Sequence, residues 1–173
     1  MYKITIKELV DFQDHEIAIY KDILFKTEEV INSEQFKDRV LNHQYRYRAN
    51  WWSRKTKLKT GFYDTTDTTE EVYNRFMEAD EKGLNEGVDY EADVYAKMYY
   101  QDSNVVGKIV SGEPYLYINR KYFTLRRTAK IAGNFAHEQC HRLGYSHSFF
   151  NNNFRKYSVP YGVGEIVTDL FKG

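Results

Sequence analysis

The chain has 173 residues, enough for one domain with a sizeable core. Its 25 basic and 25 acidic side chains cancel, so no global field favours nucleic acid or a membrane surface. No run reaches the roughly 18 apolar residues of a membrane helix, and the N-terminus lacks the apolar core of a signal peptide. The chain is therefore expected to stay inside a cell or to leave by a route its sequence does not show. Cys140 is the only cysteine, which excludes an intrachain disulfide and leaves the redox compartment open. The 16 Tyr and 11 Phe point instead to aromatic rings in grooves and on sheet faces.

Residues 2–7 alternate and predict a short strand. Asn32 and Gln35 have capping-box spacing, and Phe36 and Val40 follow at helical spacing, which predicts a helix over 33–43. Residues 45–63 are basic and aromatic, with Trp51 and Trp52 among arginines and lysines. Such a run can stack on bases, but it reads more simply as a strand and loop with snorkelling side chains, so nucleic acid is not the expected partner. Thr68 and Glu71 form a second capping box; Val72, Phe76 and Ala79 predict a helix over 69–82, broken by Gly83 and Gly87. Three strand-like runs follow at 93–100, 104–110 and 115–119, separated by turn residues. Asp89, Glu91 and Asp93 alternate without a glycine-punctuated loop, which suits a solvated strand better than a calcium site. Residues 125–143 read as one helix with an apolar stripe through Ala132, Phe135, Ala136 and Cys140, ended by Gly144. A short last helix is expected over 163–171. The element order predicts an α+β fold with a small mixed sheet packed on the long 125–143 helix.

The chemistry concentrates in residues 137–147, which read His-Glu-Gln-Cys-His-Arg-Leu-Gly-Tyr-Ser-His. His137 and His141 are four apart and project from one helix face, where two imidazoles can hold one zinc ion. Glu138 points about 100° away and is placed to act as a base on water rather than as a ligand. Gly144 lets the chain leave the helix sharply, and His147 can return a third nitrogen. Three protein ligands leave the open position of a catalytic zinc site. Three of the chain's five histidines lie in these eleven residues, which a solvated helix face would not require. Cys140 points away from the ligand face and reads as core; His15 and His43 read as surface or cap residues.

The pattern H-E-x-x-H-x-x-G-x-x-H resembles that of the metzincin zinc peptidases at every fixed position. The resemblance implies one Zn2+ per chain on His137, His141 and His147, with Glu138 as general base. It also implies a sheet whose edge strand pairs with an extended peptide, for which 104–110 is the candidate. Metzincins carry a methionine-containing turn beneath the metal; no Met follows position 98 here. Ser158-Val159-Pro160-Tyr161-Gly162 stands in its place, with Val159 at the methionine position and Tyr161 at that of a tyrosine touching the metal or the oxyanion.

The expected function is metal-dependent hydrolysis of peptide bonds in a protein or peptide substrate. The expected organisation is one domain over 1–173, with an N-terminal extension over 1–44 and a catalytic core over 45–173. Two rivals stand beside this. Glu165 and Asp169 form an E-x-x-x-D pair on the last helix, and a thermolysin-like site would use Glu165 as third ligand in place of His147. Alternatively, the same histidines hold zinc in a non-catalytic scaffold that recognises a protein partner, in which Glu138 would have no purpose.

Overall fold

The computed structural model describes residues 1–45, 67–81, 84, 87–110, 112–124, 127–147 and 155–173. The basic-aromatic segment falls almost wholly outside them. The elements run β1 (Lys3–Val10), α1 (Asp14–Ile31), α2 (Glu34–Leu41), α3 (Thr69–Glu78), β2 (Glu91–Tyr99), β3 (Gly107–Ile109), β4 (Tyr115–Asn119), α4 (Thr128–Arg142) and α5 (Val159–Lys172). The α+β expectation holds.

The sheet order is β1-β2-β4-β3. β1 and β4 both run parallel to β2, and β3 runs antiparallel to β4 at the edge. The β1–β2 register shifts between Ile6 and Glu8, as a bulge does. Val94, Ala96, Met98, Leu116 and Ile118 face the buried core. The alternate residues of β2 and β4, Tyr95, Tyr99, Tyr115 and Tyr117, are half-buried and meet one another in edge-on ring contacts. Period-two alternation in β2 and β4 thus separates an apolar face from an aromatic one.

Several boundaries differ from the sequence reading for physical reasons. Helix α1 was not anticipated at all. Its buried residues Glu16, Tyr20, Ile23, Leu24, Thr27, Val30 and Ile31 recur at three- and four-residue intervals, a helical stripe blurred by Ile17, Ile19 and Phe25, which are apolar but lie off it. Its start is held by Gln13 N–H donating to Glu16 Oε2 at 2.8 Å. Asn32 does not start α2; it ends α1, and its side chain bonds both the N–H and the carbonyl of Tyr2. Ser33 is the N-cap of α2, accepting from Phe36 N at 3.1 Å. The Thr68–Glu71 box forms in both directions. Helix α3 nevertheless stops at Glu78, because Ala79 turns left-handed at φ 54° and Tyr90 N–H takes the Glu78 carbonyl. Strand β3 keeps only Gly107–Ile109 of the predicted 104–110. The buried Asn119 side chain bonds the N–H and carbonyl of Gln101 and the carbonyl of Val105, which folds that stretch into a loop.

Residues 1–44 share this sheet and core: β1 pairs with β2, and α1 packs on α4 and α5. Asp93 and Glu91 take the Lys7 ammonium at 3.2 and 3.0 Å, so the alternating acids hold a lysine of the neighbouring strand. Among the described residues no helix is long and apolar enough to cross a membrane.

Candidate metal centre

Helix α4 is amphipathic in a particular sense. Ile131, Phe135, Ala136, Cys140 and Leu143 enter the core, while Asn134, His137 and His141 stand half-buried at its edge. Its end is a Schellman motif: Gly144 N–H bonds the His141 carbonyl, Tyr145 N–H bonds the Cys140 carbonyl, and Gly144 takes φ 91°. That reversal carries His147 back over the helix face. Cys140 is fully buried, as expected of a core residue, and burial pushes its thiol well up.

The three histidines meet. One ligand atom from each of His137, His141 and His147 lies within 4.8 Å of the others, and His137 Nε2 stands 3.2 Å from His147 Nε2. Nitrogens bound at ~2.0–2.1 Å around a tetrahedral ion stand about 3.3 Å apart, so the donor set fits a metal ion. The outer ring nitrogens are engaged in a way that favours this. His141 Nδ1 bonds the Tyr145 carbonyl at 2.9 Å, which puts its proton there and turns Nε2 inward. The Pro160 backbone, whose only polar group is its carbonyl, lies near enough to His137 to favour a proton on its ring. Burial, then the neighbouring His141 and His147, drive His137 down to about 2, so its imidazole is neutral, the form that binds metal. Burial likewise lowers His141.

Glu138 is 7% exposed and points off the ligand face toward the edge strand. Its carboxylate accepts from Ile109 N–H of β3 and from the Asn134 amide, each at 3.2 Å. Burial raises this carboxyl to about 7, against those two hydrogen bonds. Asn134 was missed in the sequence, although its position four residues before Glu138 was visible there.

Ser158-Val159-Pro160-Tyr161-Gly162 does not form a separate turn. It is the first turn of α5, four residues earlier than predicted. Ser158 takes the N-cap conformation, Pro160 sits in the first turn where its missing N–H costs nothing, and Gly162 N–H bonds the Ser158 carbonyl at 2.8 Å. Val159 is buried. The Tyr161 ring stands 4.6 Å from that of His137 and 4.9 Å from that of His147, centroid to centroid. Arg155 lies over the same ring at 4.7 Å. This placement depends on α4 and α5 crossing closely. A Cβ on Gly164 would meet the Gly133 carbonyl at 2.8 Å and His137 Cβ at 3.2 Å. Behind Tyr161, His43 packs against Gly162 and the Tyr45 ring rather than serving as a surface or cap residue; His15 is exposed.

Glu165 is exposed on α5 and is not part of the converging group; Asp169 pairs with Arg39 and Lys172. Among the described residues the histidine trio is the group arranged for a metal. No family model, curated protein or solved structure matches the chain.

Proposed function

We propose that the chain is a zinc metallopeptidase of metzincin-like motif, in which His137, His141 and His147 hold the ion and Glu138 is the general base. One observation carries this reading: three imidazoles converge beside a buried carboxyl that is raised to about 7. A base near neutrality is matched to accepting and returning a proton at ordinary pH. When zinc is bound there, the chemistry it supplies is polarisation of a carbonyl and acidification of water.

The chain's own residues supply the rest. Glu138 takes the proton of the attacking water and hands it to the leaving amine as the carbon–nitrogen bond breaks. Ile109 N–H and the Asn134 amide hold the carboxylate at the β3 side of the site, at 3.2 Å each. Tyr161, whose ring meets those of His137 and His147 edge-on beneath Arg155, would donate its hydroxyl to the oxygen on which negative charge develops. The outer edge of β3 is where an extended peptide would add as a further strand.

The test is zinc content together with cleavage of an unfolded polypeptide by the native chain and by Glu138→Gln. The expected outcome is about one zinc in both, with cleavage lowered by roughly 10²–10⁴-fold in the variant. Equal cleavage by both would refute the role of Glu138. Zinc binding with no cleavage by the native chain across many substrates would favour the non-catalytic scaffold.

A further inference from the structure

We propose that Tyr145, clasped by Asp67 and Arg75, is the positioning residue that sets His141 for metal binding. The inference rests on the metal reading above. Tyr145 is the residue after Gly144, in the loop that leads from His141 to His147. Its two backbone groups both serve the end of α4. The N–H closes the helix on the Cys140 carbonyl, and the carbonyl accepts from His141 Nδ1 at 2.9 Å. The second bond decides which ring nitrogen of His141 is left for a metal and which way the ring faces.

A loop carbonyl holds a fixed direction only if its residue is immobilised. Here the side chain does that. The Tyr145 hydroxyl donates to Asp67 Oδ2 at 2.8 Å. Arg75 lies 3.5 Å from the same carboxylate oxygen and covers the Tyr145 ring at 5.5 Å. Tyr145 is 9% exposed, so its ring is shielded from water, while the Arg75 side chain stays partly in solvent. Asp67 directly precedes Thr68, the N-cap of α3, and Arg75 lies within that helix. Helix α3 is itself anchored in the core by Val72 and Phe76. A rigid helix far away in sequence thus holds the loop residue whose carbonyl orients a metal ligand. A core tyrosine with a satisfied hydroxyl would need only the hydroxyl bond; this one also carries the hydrogen bond to the ligand.

The experiment uses the full chain. Zinc affinity is measured by competition with a chromophoric chelator, the cobalt-substituted site by its visible absorption, and the metal-free fold by its Tm. Tyr145→Phe and Asp67→Ala are expected to weaken zinc roughly 10–100-fold and to alter the cobalt spectrum. Asp67→Asn keeps an oxygen that can accept the hydroxyl and is expected to retain most of the affinity. The double variant Asp67→Ala/Tyr145→Phe should lose no more than either single one, because both remove the same bond. Should Asp67→Ala fail to fold, Tyr145→Phe decides alone, since it removes one oxygen and keeps the ring. The inference is overturned if both variants lower only the Tm, with affinity and spectrum as in the native chain, while His141→Ala loses the metal. If His141→Ala binds zinc as tightly as the native chain, the metal reading fails and this inference with it.

Discussion

His141 and Arg142 are adjacent on α4 and lead to two opposite uses of buried polarity. Arg142 is 8% exposed, yet its guanidinium is held by two backbone carbonyls and faces a carboxylate. It donates to the Asp93 carbonyl and to the Pro114 carbonyl at 2.7 Å each, and Glu81 lies 3.5 Å away. Glu81, fully buried, accepts Asp93 N–H at 2.9 Å through its other oxygen. This cluster ties α4 to β2 and to the chain before β4. One residue earlier, three imidazoles turn ring nitrogens toward one another instead of toward opposite charges. Charges satisfied by the fold make structure, whereas donors that converge on a common point make a site.

Breaking each cluster separately should separate their roles. The largest effect is expected on metal content: His147→Ala should lose stoichiometric zinc, and Glu165→Ala should keep it. Metal analysis after gel filtration decides this, and the reverse result would move the third ligand to Glu165. Arg142→Ala should leave Glu81 uncompensated and cost about 3–5 kcal/mol in urea unfolding of the metal-free chain. A loss below about 1 kcal/mol would mean that the pair is not structural. Gly164→Ala crowds the α4–α5 crossing and should cost about 1–3 kcal/mol; because the new methyl meets His137, zinc affinity should fall as well. Tyr161→Phe should give the smallest change, a kcat about 10-fold lower, or about 1.4 kcal/mol, with zinc content intact. A Tyr161→Phe variant with native kcat would reduce this ring to packing.

Much of the architecture was legible because the signals were local. The Thr68–Glu71 box, the β4 alternation and the stripe of α4 each lie within a few residues, and each element formed. Helix α1 is less legible, although its buried positions recur with helical spacing, because Ile17, Ile19 and Phe25 put apolar residues off the stripe. The ends of α3 and β3 were set by partners distant in sequence: the Tyr90 N–H and the Asn119 side chain. Neither pairing lies within a single helix or strand.

The sequence by itself determined which side chains could converge at the centre. Histidines four apart on a helix share a face, and a glycine able to take positive φ lets the third return, whatever packs around them. Tertiary structure alone decided the surroundings. It placed Ile109 N–H on Glu138, the Tyr145 carbonyl on the His141 imidazole, and the Tyr161 ring against those of His137 and His147. The reason is that backbone donors and acceptors are the same at every residue. Only the packing of α4 against α5, β3 and the loop after Gly144 selects which of them faces the site.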